Sequence, residues 1–440
     1  MKVRGLLVAV ALLAVLGGLV WWSNKRQKAG ESKPSADAAP KILTIPEDQI
    51  QEVRLQKTGG ETTVLRKGGD GKWAIAEPKP LRADQDSVTS MISSLASLSA
   101  DKLVEEKAAD LAPYGLTQPG LGVKVIKKDG KTEDLFIGDE TPTGSGSYAK
   151  LANDPRVFTI ASYTKSGFDK TSNDLRDKRL LTFDQDKLTR VELQAKGGTM
   201  EFGKNNQNDW QILKPKPLRA DGSQVEELIR KLKDARMDTA VTAEDEKKAA
   251  AGFASSPRVA LVNVSDASGT QQLEVRKDKD KNYYAKSSVV EGVHKLTSDV
   301  GDGLDKKLDD FRNKKLFDFG WSDPTKVQVG SAVYAKSGEK WMFGSKQMDS
   351  ASVQGLIDKL RDLNSTKFLD AGGGGTPVLE ATVTSNDGKR VEKVAITKQG
   401  STFFAKREGE PSIYELDAKA VEDLQKAASE VKEFQPPKKK

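Results

Sequence analysis

A sequence of seven residues occurs twice in this chain, at an offset of 137 residues. It reads Pro-Lys-Pro-Leu-Arg-Ala-Asp and occupies residues 78–84 and 215–221. A tryptophan, Trp73 or Trp210, lies five residues before each copy. An identity of this length at a fixed offset predicts that the 440 residues consist of repeated folding units.

The aspartate that ends each copy is followed by apolar residues at positions +4, +7, +8 and +11. This spacing places them on one face of a helix, and an aspartate before the first turn is a favoured N-cap. We therefore predict an amphipathic helix after Asp84 and another after Asp221. The apolar residues are Val88, Met91, Ile92 and Leu95 in the first copy, and Val225, Leu228, Ile229 and Leu232 in the second.

A third, shortened copy follows the same pattern but lacks the Pro-Lys-Pro-Leu-Arg turn. Trp341 and Asp349 match the earlier tryptophans and aspartates, and Val353, Leu356, Ile357 and Leu360 keep the helical spacing. Downstream, an aromatic-Ala-Lys sequence recurs in all three copies and is followed, ten residues after its aromatic, by Phe158, His294 or Tyr414.

The periodicity changes within each copy from alternating, strand-like segments to one helix and back to strands. Asp-Gly pairs between the alternating segments indicate hairpins. We therefore predict an α+β fold, with antiparallel sheet and amphipathic helices repeated three times. The predicted domains are repeat 1 (residues 43–181), repeat 2 (residues 182–317) and repeat 3 (residues 318–434).

The N-terminus predicts a membrane anchor over residues 1–28, with lipid contact through residues 5–22. Residues 5–22 are apolar or glycine and would span about 27 Å as a helix, close to a bilayer's hydrocarbon thickness. A cleaved signal peptide is the alternative, but its apolar region is usually shorter. Residues 29–42 are then a flexible tether and residues 435–440 a basic tail. We expect a single-pass protein of the bacterial inner membrane with its body on the periplasmic or extracytoplasmic side.

The anchor, the tryptophan followed by the Pro-Lys-Pro-Leu-Arg-Ala-Asp turn, and the segment Asp174-Leu-Arg-Asp-Lys-Arg-Leu-Leu181 resemble a bacterial family called domain of unknown function 4340. The resemblance covers residues 43–434. It implies a membrane-anchored protein encoded beside an ABC-type transporter and its gliding-motility-like subunit. The family brings no established catalytic residues.

Composition excludes several kinds of catalytic site, because the chain has no cysteine and one histidine. Disulfides, thiolate catalysis and Cys/His zinc sites are therefore ruled out. His294 stands where the other copies have Phe158 and Tyr414, so we interpret it as a strand packing position. Asp278 to Asn282 resembles the start of a calcium loop but lacks its glycine and glutamate. We predict no catalytic residue, no metal and no cofactor.

The repeated tryptophans and arginines remain as candidates for a site. One tryptophan per repeat at an equivalent position favours core anchors for Trp73, Trp210 and Trp341 over ligand platforms. Four arginines at two repeated positions are candidates for partner binding: Arg82, Arg219, Arg176 and Arg312. The alternatives are that Arg82 and Arg219 take an anion or pin the turn to the neighbouring sheet, and that Arg176 and Arg312 form ion pairs that hold one repeat to the next.

The net charge of +7 at first suggests a nucleic-acid partner. Residues 1–28 carry five positive charges and no acid, and Lys438 to Lys440 carry three more, which leaves a net charge of −1 for the rest. We therefore predict no nucleic-acid binding. The expected function is a non-enzymatic envelope scaffold or accessory subunit, associated with an ABC-type transporter or a gliding-motility-like complex. The alternative is a cell-wall or glycan enzyme that uses carboxylates.

Overall fold

The structure, a computed structural model, describes residues 39–237, 243–320 and 324–436. The chain divides into two compact units, Met1–Lys178 and Arg179–Lys440. The first unit holds one described antiparallel sheet and the second holds two. The predicted anchor, most of the predicted tether and the end of the basic tail lie outside the described residues. No helix in the described ranges is both long enough and apolar enough to cross a bilayer.

Repeat 1 contains a nine-stranded sheet in the order β4-β3-β2-β1-β6-β7-β8-β9-β5. Hairpins join successive strands within β1–β4 and within β6–β9, whereas β1 pairs with the distant β6 and β5 returns to pair with β9. The strands are β1 Ile50–Lys57, β2 Thr62–Lys67, β3 Trp73–Glu77, β4 Leu81–Arg82, β5 Lys102–Glu105, β6 Leu121–Lys127, β7 Thr132–Glu140, β8 Gly146–Leu151 and β9 Val157–Ala161. The helices are α1 Gln85–Ala96, α2 Ser162–Phe168 and α3 Ser172–Leu175.

Repeat 2 has the same topology, with eight described strands in the order β13-β12-β11-β10-β14-β15-β16-β17. The residues equivalent to β5 fall in 238–242, outside the described ranges. The strands are β10 Arg190–Ala195, β11 Gly198–Lys204, β12 Trp210–Lys214, β13 Leu218–Arg219, β14 Arg258–Asp266, β15 Gly269–Lys277, β16 Tyr283–Ser287 and β17 Val293–Leu296. The helices are α4 Gly222–Asp234, α5 Ala243–Ser255, α6 Ser298–Leu304 and α7 Leu308–Phe311.

Repeat 3 again has nine strands, in the order β21-β20-β19-β18-β23-β24-β25-β26-β22. The strands are β18 Lys326–Val329, β19 Ala332–Ser337, β20 Lys340–Phe343, β21 Lys346–Gln347, β22 Ser365–Leu369, β23 Thr376–Ser385, β24 Arg390–Gln399, β25 Thr402–Arg407 and β26 Ile413–Leu416. The helices are α8 Ser350–Arg361 and α9 Ala418–Ser429. The α+β class is therefore confirmed, and one sheet topology occurs three times.

The helix after each tryptophan strand begins where the sequence predicts. The carboxylates of Asp84, Asp221 and Asp349 accept hydrogen bonds from the backbone N–H three residues on, which satisfies a donor left free by the first helical turn. The apolar face of each helix is buried against its own sheet. Burial of this face, more than intrinsic propensity, holds a helix of 12 or 13 residues in place.

Each repeat has its own hydrophobic core, and the cores do not change at the predicted boundaries. Leu175 belongs to the core of repeat 1, whereas Leu180 and Leu181 belong to that of repeat 2. In the same way, Phe311 belongs to the core of repeat 2, and Leu316 to that of repeat 3. The repeated segment at the end of repeats 1 and 2 is thus a connector that contributes apolar side chains to two cores.

The connector also pairs with the turn that precedes the capped helix of its own repeat. Single β-bridges join Ala83 to Arg176, Ala220 to Arg312 and Met348 to Glu433. The third bridge shows that repeat 3 keeps this pairing although it has lost the Pro-Lys-Pro-Leu-Arg turn. Backbone pairing does not depend on side-chain identity, so sequence comparison does not reveal it.

Candidate interaction site at the junction of repeats 2 and 3

The junction of repeats 2 and 3 is built around Arg219, at the end of the short strand β13. Arg219 Nε lies 2.8 Å from Glu410 Oε1, and Nη2 donates to the Lys315 carbonyl at 2.5 Å. Nη1 lies 3.7 Å from Asp318 Oδ2. Neither of these two carboxylate contacts has hydrogen-bond geometry, so both are ion pairs. Nε and Nη1 of Arg219 therefore remain able to donate hydrogen bonds.

Glu410 receives three groups at once, which keeps its carboxylate charged although it is largely buried. Arg407 Nε lies 2.7 Å from Glu410 Oε1, and the Tyr414 hydroxyl donates to Oε2. Burial alone would raise the pKa of Glu410, but the charges of Arg219 and Arg407 outweigh burial and hold it below its ordinary value. Repeat 2 thus contributes one of the two cations that stabilise this anion of repeat 3.

A second carboxylate, Glu392 on β24, extends the ionic network further within repeat 3. Arg407 Nη2 lies 3.1 Å from Glu392 Oε1, and the Asp318 backbone N–H donates to the same oxygen at 2.9 Å. Arg390 lies 3.6 Å from Glu392 and 3.7 Å from Asp318. The network therefore contains three arginines and three carboxylates, so its formal charges balance.

Arg312 makes a separate contact across the junction. It follows α7 of repeat 2, yet its guanidinium carbon lies 3.7 Å from the centroid of the Phe368 ring of repeat 3. Nη2 donates to Ser412 Oγ at 2.8 Å, and Nη1 to Asp309 Oδ1 at 3.1 Å. Only 6% of Arg312 is exposed, which favours an inter-repeat contact over binding of an external partner at this position.

A polar cleft of about 660 Å³ opens beside Arg219. One wall is the asparagine-rich hairpin between β11 and β12, and the other is formed by the start of α4 and the segment that leads into repeat 3. Amide, carboxylate, ammonium and guanidinium groups therefore face one space, so the cleft can form hydrogen bonds with a polar ligand or with a protein segment. Its lining includes Asn205, Gln207, Asp209, Glu226, Lys315 and Arg390.

The other candidate residues lie elsewhere in the repeats. Trp73, Trp210 and Trp341 are buried in the three cores, which fits anchors better than exposed ligand platforms. Arg82 lies in β4, where its carbonyl accepts the Asp177 N–H at 2.8 Å, and Arg176 lies in the connector bridge to Ala83. Their role in partner binding stays a prediction.

Two further sequence interpretations concern repeat 2. His294 pairs with Ala285 as Phe158 pairs with Ala149 and Tyr414 with Ala405, so the three positions are structurally equivalent. The carboxylate of Asp278 accepts from the backbone and side chain of Asn282 at 2.8 and 2.9 Å, which closes a hairpin turn. Among the described residues, no three potential ligands of the His, Asp or Glu type are grouped as a metal site would require.

The repeated residues of the sequence do not predict Arg407, Glu410 and Glu392 as members of the site. The equivalent positions of repeat 2 hold Ser287, Val290 and Gln271, so a search for repeated residues does not find them. A difference between repeats is the more useful signal for this site. Its residues are charged in repeat 3 at positions that are uncharged in repeat 2.

The fold and junction define a class of protein: tandem α+β repeats with one sheet topology, of which the last two are joined through partly buried ion pairs. The chain belongs to the family described as Domain of unknown function (DUF4340), whose model matches residues 73–216 and again residues 210–377. Each match begins at a tryptophan strand, so the family unit includes the connector. No curated protein and no solved structure matches the chain.

Proposed function

We propose that the protein is a non-enzymatic scaffold or accessory subunit of a membrane complex in the bacterial envelope. In this proposal residues 5–22 anchor the chain in the inner membrane, and the repeats bind partner proteins on the extracytoplasmic side. The observation that carries it is the junction of repeats 2 and 3, where arginines, carboxylates and an aromatic ring fix two repeats to each other.

Buried ion pairs contribute little net stability, because desolvation offsets their attraction. Such pairs instead favour one arrangement of the two repeats, because any arrangement that breaks a pair leaves a buried charge without a partner. Two repeats in a fixed arrangement keep the residues of both repeats that line the polar cleft in one geometry. A scaffold needs such a fixed geometry, whereas a flexible string of domains would lose entropy on binding.

The membrane part of the proposal rests on the sequence. The apolar run at the N-terminus has the length of a spanning helix, and the family resemblance implies a neighbouring ABC-type transporter. We therefore expect the full-length chain to remain in membrane pellets after alkaline extraction. Deletion of residues 1–28 is expected to release it, and release of the full-length chain would contradict the anchor.

Site-specific crosslinking in native membranes tests the scaffold. A photoreactive amino acid at Gln207, on the rim of the cleft, is expected to capture a membrane-complex protein. The matched control places the same group at Asn386, an exposed turn between β23 and β24 outside the cleft. Adducts only between copies of the chain, or equal capture from both positions, would count against the proposal.

The cleft also provides the specific test of the alternative, a glycan-acting enzyme. Asp209 and Glu226 line it, and the Asp209 carboxylate accepts a long hydrogen bond from Asn205 Nδ2 at 3.5 Å, whereas Asp221 caps α4 and Asp318 belongs to the ionic network. If carboxylates there act as acid and base, the pair Asp209→Asn and Glu226→Gln removes release of soluble glycan fragments from purified cell wall. A protein that releases no fragments before substitution excludes this alternative at the cleft.

A further inference from the structure

A buried arginine of repeat 3 ties that repeat to the segment that precedes it. Arg407 is 8% exposed and lies at the end of β25, opposite Val394. Its Nη1 donates to the carbonyl of Leu316, and its other nitrogens pair with Glu392 and Glu410. The guanidinium therefore fills the space between the sheet and the segment leading into it.

Repeat 2 has a smaller group at the same place. Ser287 lies opposite Leu273, which is the register of Arg407 and Val394, and its hydroxyl donates to the carbonyl of Leu180. Gln271 replaces Glu392 and accepts the Thr182 N–H at 2.7 Å. Two repeats thus satisfy an equivalent carbonyl with a side-chain donor from an equivalent strand.

Repeat 1 offers the same backbone frame without the donor. Leu151 lies opposite Leu135 in the register of Arg407 and Val394, and a leucine side chain cannot donate a hydrogen bond. The segment itself is in place, because the Ile42 N–H donates to the Leu98 carbonyl at 2.9 Å, as the Leu316 N–H donates to that of Leu363. Glu133 stands two residues before Leu135, as Glu392 stands two residues before Val394.

A cavity of about 270 Å³ occupies the region where repeat 3 holds its guanidinium. Its lining carries one cation and two anions, and one of these anions, Asp129, also pairs with Lys131 at 3.2 Å. Lys127 Nζ lies 3.0 Å from Glu133 Oε1, which leaves the second oxygen of this half-buried carboxylate outside that ion pair. The lining includes Ile42, Thr44, Lys127, Asp129, Glu133 and Leu151.

We propose that this cavity of repeat 1, the arginine socket, binds an arginine side chain of a partner protein. The inserted guanidinium donates to the Ile42 carbonyl and to Glu133, as Arg407 does to Leu316 and Glu392 within repeat 3. Arginine suits the socket better than lysine, since its planar group can donate to a carboxylate and a carbonyl at once. That the guanidinium belongs to a protein rests on the scaffold function proposed above; the socket itself does not.

Titration of the full-length protein with N-acetyl-arginine amide tests the socket. We expect saturable binding by NMR or calorimetry, and no binding of the citrulline amide, which has the same shape without the charge. Glu133→Gln is expected to weaken binding at least about tenfold, the factor for one charged hydrogen bond. Glu140→Gln, an exposed change on the same strand, is the control and is expected to leave affinity unchanged.

Leu151→Arg provides an independent test, because it supplies the guanidinium from the chain itself. This variant is expected to raise the melting temperature and to abolish binding of the arginine amide. Equal binding of citrulline amide, or unchanged affinity in Glu133→Gln, overturns the socket. If arginine amide binds but no partner is crosslinked, the scaffold function is contradicted and the arginine socket is supported. If partners are crosslinked but arginine amide does not bind, the socket is contradicted and the scaffold function is supported.

Discussion

The guanidinium of Arg312 lies against the face of the Phe368 ring, 3.7 Å from its centroid, and joins repeat 2 to repeat 3. The two residues are far apart in sequence, and both are almost fully buried. A desolvated cation on an aromatic face is worth about 2 kcal/mol. This contact and the ionic network around Arg219 are therefore sensitive points of the junction.

Removal of the Arg312 side chain tests this contact. Arg312→Ala loses the ring contact and a charged hydrogen bond to Ser412, so we expect a loss of about 2–4 kcal/mol in the free energy of unfolding. Urea denaturation measures it. The control is Arg230→Ala, whose ion pair with Glu227 is exposed to solvent, so its loss should change the free energy of unfolding much less. Equal losses in the two variants would contradict a special role for Arg312.

The lowered pKa of Glu410 predicts how the stability of repeats 2 and 3 depends on pH. A carboxylate whose pKa is lower in the folded state stabilises the fold above its unfolded pKa, near 4.5, and this contribution disappears as pH falls through the folded value. We therefore expect Glu410→Gln to be less stable than the parent protein at pH 7. The difference should shrink below about pH 4.5. A difference that is constant from pH 7 to pH 3 would refute the coupling.

The three aspartate caps predict equal local effects in three repeats. Asp84→Ala, Asp221→Ala and Asp349→Ala each remove one acceptor from a helix start and should each cost about 1 kcal/mol. Asp86→Ala, an exposed change in the first turn of α1, is the control and should cost less. Hydrogen exchange of the first-turn amides shows whether a loss is local.

The near-neutral body predicts weak interaction with nucleic acid. A protein of residues 43–434 should not retard duplex DNA in a gel at physiological salt, because its positive and negative charges are interleaved. The full-length chain is the comparison, since it adds the basic flanks of the N-terminus and the terminal lysines. Clear retardation by residues 43–434 would require a basic surface that the sequence does not suggest.

The features that repeat locally could be predicted from the sequence. The starts of α1, α4 and α8 follow from an aspartate and the apolar spacing after it, and the aromatic positions Phe158, His294 and Tyr414 fall in one register. The sequence pattern does not predict the strands β5 and β22. Leu103 pairs with Phe158 and Phe368 with Tyr414, and pairing over such distances leaves no periodic signal in a short segment.

The candidate site was predictable only on one side. Arg219 and Arg312 can be predicted because their positions repeat in the sequence. Glu410, Arg407 and Phe368 of repeat 3 have no such repeated partner, and their equivalents in the preceding repeats follow only from the strand register. The end of a repeated motif predicts the domain bounds at 181 and 317. The cores instead divide within that motif. The reason is that the backbone N–H groups of Leu180 and Leu316 donate to carbonyls just after α4 and α8, the helices that follow them in sequence.

The connector between Phe311 and Leu316 has a consequence for unfolding. Phe311 in the core of repeat 2 and Leu316 in the core of repeat 3 are only five positions apart. This connector is too short for one of the two side chains to leave its core while the other stays fully packed. The stability of a linear repeat protein is the sum of the stabilities of its repeats and of the interfaces between adjacent repeats. For repeats 2 and 3 the interface energy is then large relative to the stability of either repeat alone. Repeats 2 and 3 should therefore melt in a single cooperative transition.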